Sequence, residues 1–555
     1  MPRRPVTGML STHGDRYQLN TTTLIRHAAR SHPEQQIVYR SGSGDWDTYT
    51  YGAAYDRIKQ AANVLTGLGA GPADVIGVLD WNSRRHFELY WAIPGIAAVL
   101  LQMNLRLGTD DLVYVTNHSG ASIILVDETM LSIAEAIAPL APGVRTWVVM
   151  SDRPMSDITT TLPNAVHFEE LMASARTEFD WPVIDEHSAY SACYTTGTTG
   201  RPKGVYYSHR GIYLHTMAQA SVMRMTPSDC VMLITPMFHA NCWGLPQSAI
   251  YVAAKVILPG RYAADEVGQL VATMAEHDVT VANGAPVIFA PILDHIQTLD
   301  SKPDFRGARF LSGSTEPSLA LMRGFHEATG AEIIHAYGAT ETTPLATINT
   351  NLKPSLQTTL SEDQKWDLKR CQGVPMNGVD IKLVDADGNE LPHDGVAQGE
   401  ILLRGPWITD RYHDMADNAD RFSDGWWRSG DVGRIEPNGY LKLTDRIKDI
   451  VKSGGEWISS IDMENAIVGH PRVAEAAVVG VPHPQWQERP VAVIVTVDGG
   501  EVELEEIHSR LRGSFAGWQL PDTVLRVAAI PRTSVGKVDK LTMRAQYADI
   551  YTQAR

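Results

Sequence analysis

Tyr194-Thr-Thr-Gly-Thr-Thr-Gly-Arg-Pro-Lys-Gly204 is the stretch on which the interpretation of the sequence depends. Apolar residues at 191–194 and 205–208 flank it and predict two short strands. Glycines let backbone N–H groups turn inward together, hydroxyls add donors, and Arg201 and Lys203 add positive charge. The pattern G-x-x-x-x-G-K-[ST] of P-loop NTPases is not present. We therefore predict a loop that binds nucleotide phosphates outside the P-loop fold.

Length and charge restrict the possible classes of protein. The 555 residues are too many for one hydrophobic core, which predicts a large domain and a smaller one. A content of 44% hydrophobic and 20% charged residues is typical of a soluble globular protein. The net charge of −16 argues against a nucleic-acid partner, because phosphate surfaces select basic proteins.

The sequence predicts neither a secretory signal nor a membrane span. No apolar region follows the basic start Met1-Pro-Arg-Arg, and the apolar stretch near 91–101 is shorter than the roughly 20 residues that cross a bilayer. Cys193, Cys230, Cys242 and Cys371 lack metal or redox spacing. A cytoplasmic location is the resulting expectation, and peripheral membrane contact stays open.

Strand and helix patterns alternate along most of the chain. We predict a strand pair at 36–39 and 46–50, a strand at 75–79, a long helix at 82–101 and a strand at 122–126. Further strands are predicted at 231–233, 255–258, 279–282, 310–312 and 332–335. Continuous apolar strands separated by helices predict an α/β fold with two mostly parallel sheets.

The pattern changes near Leu360 to short strands separated by turn residues, which predicts an antiparallel, barrel-like subdomain. After it, a smaller α+β domain is expected. The predicted domains are 1–445, which binds nucleotide and substrate, and 446–555, a mobile C-terminal domain.

Three further motifs carry polar groups suited to a nucleotide. In Ile334-His-Ala-Tyr-Gly-Ala-Thr-Glu-Thr-Thr343, Thr340 and Glu341 fit a phosphate oxygen and Mg²⁺, although helix capping is an alternative. Asp431 in Ser429-Gly-Asp431 could bind a ribose diol or only stabilise a turn. Lys537, at the end of Pro531-Arg-Thr-Ser-Val-Gly-Lys537, is either catalytic or a solvated surface residue.

Taken together, these motifs resemble the adenylate-forming superfamily of acyl-CoA synthetases, peptide-synthetase adenylation domains and luciferases. The resemblance extends over nearly the whole chain and is closest to bacterial medium- and long-chain fatty acyl-CoA synthetases. Four stretches carry that closer likeness: Thr235-Pro-Met-Phe-His-Ala-Asn-Cys-Trp243, Lys452-Ser-Gly-Gly-Glu-Trp-Ile-Ser-Ser460, Pro482-His-Pro-Gln-Trp-Gln-Glu-Arg-Pro490 and Gly517-Trp-Gln-Leu-Pro521.

The resemblance implies a two-step ligase reaction. A carboxylate attacks the α-phosphate of ATP, giving acyl-AMP and pyrophosphate, and the thiol of coenzyme A then displaces AMP. The first step joins two anions, so charge neutralisation and positioning should dominate its catalysis. The expected small molecules are a carboxylic acid, ATP, CoA and Mg²⁺. A homodimer is expected from the same resemblance.

The resemblance also assigns roles to residues. The catalytic residues would be Lys203, His239, Thr340, Glu341 and Lys537, with Lys537 bridging carboxylate and α-phosphate. Residues that would contact ATP or AMP are Thr195, Thr196, Gly197, Thr198, Thr199, Gly200, Lys203, Gly313, Ser314, Tyr337, Gly338, Thr340, Asp431, Arg446 and Lys537. Thr196 and Glu341 would hold Mg²⁺, and Lys448 would be the hinge. The CoA channel would use Lys452, Ser453, Gly454, Gly455, Glu456 and Trp457.

The chain departs from the family pattern at two positions. Thr196 replaces a frequent serine, and Ser314 stands where a second glycine is more usual. We expect no loss of activity from either change.

The acyl pocket is predicted at His239, Asn241, Trp243 and Ala336, with contributions from 283–287. His239 would lie near the substrate carboxylate and Trp243 would gate a fatty-acid tunnel, although both could be core residues. Without a fixed charge, the pocket argues against an amino acid or dicarboxylate but does not fix chain length. The resemblance implies a medium- to long-chain fatty acid. Alternatives are a short modified acid such as a methylthioalkanoate, an aromatic acid, transfer to a carrier protein, a luciferase-like oxidase, or a non-catalytic binding module.

Overall fold

The computed structural model describes residues 8–9, 11–12, 17–195, 201–261, 266–415, 418–454, 456–497, 499–532 and 538–551. Its strands, in chain order, are β1 (Gln36–Arg40), β2 (Trp46–Thr50), β3 (Val75–Leu79), β4 (Val99–Gln102), β5 (Ala121–Asp127), β6 (Thr146–Met150), β7 (Ala165–His167), β8 (Ala189–Tyr194), β9 (Gly204–Ser208), β10 (Cys230–Met232), β11 (Lys255–Leu258), β12 (Val281–Gly284), β13 (Arg309–Ser312), β14 (Glu332–Gly338), β15 (Leu345–Ile348), β16 (Val374–Pro375), β17 (Asp380–Val384), β18 (Gly399–Arg404), β19 (Phe422–Ser423), β20 (Trp426–Ile435), β21 (Leu441–Arg446), β22 (Val451–Ser453), β23 (Glu456–Ile458), β24 (Val473–His483), β25 (Gln487–Thr496) and β26 (Thr523–Arg526).

The α-helices are α1 (Thr22–Ser31), α2 (Tyr51–Gly67), α3 (Arg84–Gly95), α4 (Thr109–Ser119), α5 (Leu131–Ile137), α6 (Phe168–Ser174), α7 (His209–Val222), α8 (Leu245–Tyr251), α9 (Val267–Glu276), α10 (Pro286–Thr298), α11 (Leu319–Thr329), α12 (Pro354–Thr359), α13 (Glu362–Arg370), α14 (Ser460–Val468), α15 (Leu504–Leu511) and α16 (Lys540–Gln546).

Two mostly parallel sheets form the main part of a large N-terminal domain. One has the strand order β7-β6-β5-β3-β4-β8-β9, and only β9 runs antiparallel to its neighbour. The other has the order β16-β15-β14-β13-β12-β10-β11-β1-β2, with a parallel centre from β14 to β1. Strands such as β3 are buried along their whole length, as expected where helices cover both faces.

Two further sheets are formed by the later strands of the chain. Strands β17 to β21 make an antiparallel sheet, in which β20 pairs with β18, β19 and β21. Strands β22 to β26 make the sheet of a smaller C-terminal domain, which packs on α14 and α15. The predicted α/β class, with a large domain followed by a small α+β domain, is confirmed.

One sequence prediction is wrong. The expected helix over 82–101 is a helix only from Arg84 to Gly95, and the chain then turns and forms β4. Ala97 adopts a φ of +64°, which ends the helical course, and β4 pairs in parallel with β3 and β8. A short apolar run fits a buried strand as well as a buried helix, so periodicity could not separate the two.

Within the described ranges, none of the helices combines the length and the apolar character that crossing a bilayer requires.

Candidate active site

The phosphate loop begins and ends on two paired strands. Tyr194 on β8 lies opposite Gly204 on β9. The Thr195 N–H donates to the Lys203 carbonyl (2.9 Å), and the Lys203 N–H donates to Thr195 Oγ1 (3.1 Å). These two bonds join the two ends of the loop, Thr195 and Lys203, which we call the loop neck. The predicted phosphate contacts of Thr196, Gly197, Thr198, Thr199 and Gly200 lie outside the described residues.

Tyr412 lies between two of the predicted catalytic residues. The Lys203 ammonium is 4.7 Å from the centroid of the Tyr412 ring, and the Tyr412 hydroxyl donates to Glu341 Oε1 at 2.6 Å. Burial and the Glu341 carboxylate raise the pKa of Tyr412, so the phenol keeps its proton and remains a donor. Tyr412, for which no role was predicted from the sequence, thus contacts both the cation and the carboxylate.

The motif after β14 forms a sharp turn. A Cβ on Gly338 would lie 1.7 Å from the Pro344 carbonyl oxygen, so only glycine fits this position. The Thr342 hydroxyl accepts from the Ala339 N–H at 2.9 Å and closes the turn, which is the role considered for Thr340 and Glu341. The Thr340 carbonyl accepts from the Tyr207 hydroxyl at 2.7 Å, which fixes the backbone at Thr340 next to β9.

Three residues predicted to bind AMP meet at one carboxylate. Asp431 on β20 lies opposite Arg446 on β21. Asp431 Oδ2 accepts from the Tyr337 hydroxyl (2.7 Å), and Oδ1 lies 3.2 Å from Arg446 Nε. The Asp431 carboxylate raises the pKa of Arg446, and burial, followed by Asp431, raises that of Tyr337. Asp431 is therefore a carboxylate held by a cation from the neighbouring strand β21 and by a phenol from β14, which belongs to another sheet.

Gly313, Ser314 and Trp243 lie side by side. A Cβ at Gly313 would be 3.2 Å from the Ala336 carbonyl and 3.4 Å from Trp243 Cη2, so the indole packs beside Gly313. Ser314 has a φ of +74°, a conformation that glycine adopts without steric cost and serine does not. That geometry explains why glycine suits this position better than serine.

The predicted pocket residues differ in exposure. His239 is half-buried, whereas Asn241, Trp243 and Ala336 are buried. The Asn241 side chain is bound by Gln102 Nε2 (3.1 Å) and by the Ser191 hydroxyl (3.0 Å). Asn241 is therefore tied to the supporting strands β4 and β8.

The predicted CoA segment is a hairpin in which Lys452 on β22 lies opposite Trp457 on β23. The Gly454 N–H donates to the Trp486 carbonyl at 2.9 Å. Arg489 Nη1 lies 3.3 Å from Ser453 Oγ and also donates to the Trp518 carbonyl. Gly455, the Glu456 side chain and Lys537 lie outside the described residues.

Three tryptophans in or near this hairpin are exposed, namely Trp457 (40%), Trp486 (45%) and Trp518 (46%). Trp486 and Trp518 lie within two of the motifs that carry the family resemblance, but no role was predicted for them. Their exposure, which sequence alone does not show, identifies them as candidate binding residues.

The segment around the predicted hinge is bound by the last helix. Arg544 on α16 donates to the Lys448 carbonyl and lies 3.3 Å from Asp449. On the preceding strand, Asp445 Oδ2 accepts from the Ser460 N–H at 2.8 Å. Burial lowers the pKa of Lys448.

Comparison with known proteins decides the family. Residues 25–413 match the family described as AMP-binding enzyme, and residues 462–537 match the AMP-binding enzyme C-terminal domain. The chain belongs to the AMP-binding enzymes. The resemblance stated from the sequence motifs is thereby confirmed.

Characterised relatives of this AMP-binding enzyme are CoA ligases. The 3-methylmercaptopropionyl-CoA ligase of Ruegeria lacuscaerulensis is 39% identical, over 96% of this chain and 98% of the relative. The medium-chain-fatty-acid–CoA ligase of Ectopseudomonas oleovorans is 36% identical (96% and 97%), and the long-chain-fatty-acid–CoA ligase of Thermus thermophilus is 37% identical (96% of each). The AMP-binding enzyme described here is accordingly an acid–thiol ligase that forms AMP.

Solved structures have the same fold. The anthranilate CoA ligase AuaEII in complex with anthranoyl-AMP superposes with a TM-score of 0.81 at 23% identity, covering 96% of this chain and 98% of that one. ATP-bound MatB from Rhodopseudomonas palustris gives 0.78 at 25% identity, covering 96% and 100%.

Proposed function

We propose that the enzyme converts a medium- to long-chain fatty acid, ATP and CoA to acyl-CoA, AMP and pyrophosphate through an acyl-adenylate. The proposed nucleotide site rests on one observation: the Tyr337 hydroxyl and the Arg446 guanidinium both contact the Asp431 carboxylate. A carboxylate held in this way can accept hydrogen bonds from two ribose hydroxyls, and Arg446 pairs with it. Gly313, Ser314 and Gly338 are proposed to border the adenine.

The phosphates are proposed to lie between the loop neck and Glu341. Lys203 supplies positive charge and Thr340 contacts the α-phosphate, while Thr195 to Gly200 donate to the β- and γ-phosphates. Lys537 approaches from the C-terminal domain during adenylation and bridges the two reacting anions. Placing these cations around the reacting anions lowers the electrostatic barrier of the first step.

The residues present fit one Mg²⁺ ion bound with the nucleotide. The described ranges hold no group of three or more His, Cys, Asp or Glu side chains arranged for a metal. Mg²⁺ in nucleotide enzymes commonly uses one or two carboxylates together with phosphate oxygens and water, a need that the buried Glu341 carboxylate meets. Thr196, the other residue proposed to hold the ion, lies outside the described residues. When bound, the ion would neutralise charge on the phosphates.

Transfer to CoA is proposed to follow rotation of residues 446–555 about Lys448 relative to residues 1–445. The rotation would remove Lys537 and bring the hairpin from Lys452 to Trp457 to the acyl-adenylate. We include Trp486 and Trp518 in the CoA site, because exposed aromatic rings beside that hairpin offer stacking surfaces for the adenine of CoA.

Trp486→Ala is expected to raise KM for CoA about tenfold, since loss of one base-stacking ring costs roughly 1–3 kcal/mol. Acyl-AMP formation without CoA should be unchanged. The control is Trp366→Ala, which removes a partly exposed tryptophan of α13 in the N-terminal domain. Steady-state kinetics with varied CoA measures both, and equal KM values for the two variants would remove Trp486 from the site.

The acyl part of the substrate is proposed to be apolar and uncharged. His239, Trp243 and Ala336 carry no fixed charge with which to pair an ammonium or a second carboxylate group. His239 is proposed to lie near the substrate carboxylate.

A short thioether acid is the second candidate. It is favoured by the position of Trp243, whose ring lies on Gly313 at the predicted junction of the nucleotide and acyl sites. The relative from Ruegeria lacuscaerulensis, a 3-methylmercaptopropionyl-CoA ligase, supports the same candidate.

The test of the substrate is an AMP-release assay with straight-chain acids from acetate to palmitate, 3-methylmercaptopropionate and benzoate, with each thioester identified by mass. A broad optimum at medium to long chains supports the fatty-acid proposal. A sharp optimum at 3-methylmercaptopropionate contradicts it and supports the second candidate.

We also propose a cytoplasmic homodimer that associates through the N-terminal domain. All four cysteines are free and buried, as suits a reducing compartment. Light scattering after size-exclusion chromatography measures the mass, and a value of one chain would contradict the dimer.

A further inference from the structure

Residues 240–244 form a left-handed turn. Ala240, Asn241, Cys242 and Trp243 have φ angles of 44°, 53°, 52° and 58°, and Gly244 continues at 76°. Residues that carry a Cβ adopt this conformation at a cost in free energy, and usually one at a time. Four in succession persist only where the surrounding structure holds them, and such strain concentrates at functional sites.

Buried side chains from separate elements hold this turn in place. Asn283 on β12 donates to the Cys242 carbonyl at 2.8 Å, while its Oδ1 accepts from the N–H groups of Ile234 and Thr235. Gln219 on α7 donates to the Trp243 carbonyl at 2.8 Å and accepts from the Ser248 hydroxyl. Both amides are fully buried, so their hydrogen bonds are made without competition from water.

The turn determines where the Trp243 indole lies. Its neighbour Gly244 has no room for a side chain, because a Cβ there would lie 2.6 Å from His215 and 2.8 Å from Gln219 Oε1. At the other side the buried indole packs beside Gly313, where a built Cβ would lie 3.4 Å from Trp243 Cη2. The ring therefore cannot move far without a change in the backbone of the turn or in its anchors.

We propose that Asn283 and Gln219 are positioning residues that set the acyl-chain preference of the enzyme by holding the strained turn under Trp243. The inference rests on the proposed function, and neither residue needs to touch substrate. When an anchor is lost, the turn relaxes toward ordinary backbone angles and the indole leaves its place on Gly313. The space it vacates admits longer acids, so selectivity moves toward longer chains.

The test compares Asn283→Asp with a chemically matched control. Asn283→Asp keeps the acceptor used by Ile234 and Thr235 but removes the donor to Cys242. Asn349→Asp makes the same exchange at another buried asparagine, whose Nδ2 donates to the carbonyls of Leu368, Lys369 and Cys371. Gln219→Met, which replaces the amide with an apolar chain of similar length, is the second test variant.

The measurement is kcat/KM for the acid across the chain-length series, with thermal unfolding as a check of folding. We expect Asn283→Asp and Gln219→Met to raise the ratio of long-acid to short-acid kcat/KM about tenfold, while Asn349→Asp lowers stability without moving the ratio. If Asn283→Asp does not fold, the ratio measured for Gln219→Met tests the inference. If the wild type is active but the ratio is unchanged in the folded Asn283→Asp and Gln219→Met variants, the inference is contradicted. It is also contradicted if the ratio changes equally in Asn349→Asp. Neither result contradicts the proposed function. A wild type that makes no thioester contradicts the proposed function instead.

Discussion

Lys537→Ala is expected to slow formation of acyl-AMP from ATP and acid by about a hundredfold or more. Transfer of a supplied acyl-AMP to CoA should change little. The reason is that, in the proposed mechanism, the lysine bridges two anions only in the first step and leaves the site when the C-terminal domain rotates. The half-reactions are measured separately, as acid-dependent release of pyrophosphate without CoA and as thioester formation from synthetic acyl-AMP.

The control for this variant is Lys302→Ala, which removes an exposed lysine and the same unit of charge. It should leave both half-reactions unchanged. An equal loss of both half-reactions in Lys537→Ala would contradict the assigned role, because a residue that serves one conformation cannot affect both steps alike.

Asp431→Asn is expected to raise KM for ATP at least about tenfold, because hydrogen bonds to a charged acceptor contribute roughly 1.5–3 kcal/mol each. The amide presents one acceptor where the carboxylate presents two, and it no longer pairs with Arg446 as an ion. KM for ATP and the rate of adenylation are measured together.

The same sheet supplies a matched control. Asp380 on β17 lies opposite Arg404 on β18, with a 2.9 Å contact, but this pair is exposed. Exposed pairs contribute little, so Asp380→Asn should leave KM for ATP and stability nearly unchanged. Equal kinetic effects of the two substitutions would show that Asp431 acts through the sheet and not through the ribose.

Much of the fold could be predicted because the parallel strands are apolar runs between helices. The strand pair β1 and β2, and strands β3 and β11, were predicted with bounds correct to within one residue. The failure at 82–101 arose where a buried helix meets a buried strand, since both are buried on all sides. Only pairing with β3 and β8 distinguishes β4 from a continued helix.

The site was less predictable where it depends on long-range contacts. Glycine, threonine and lysine in one stretch are enough to predict a phosphate loop. Tyr412 gave no such signal, because its role comes from Lys203 and Glu341, which lie far from it in sequence. The left-handed turn at 240–244 was equally hidden, since four of its five residues are not glycine and the anchors Asn283 and Gln219 lie on other elements.

The central claim is that the enzyme forms an acyl-adenylate and then a thioester. The most direct test incubates it with ATP, Mg²⁺ and decanoate in the absence of CoA, identifies the products by mass, and then adds CoA. Without CoA, we predict enzyme-bound decanoyl-AMP and release of one pyrophosphate. When CoA is added, AMP and decanoyl-CoA should form. The same experiment with 3-methylmercaptopropionate in place of decanoate tests the second candidate substrate. Release of ADP and phosphate, or thioester formation without any acyl-AMP, would contradict the claim.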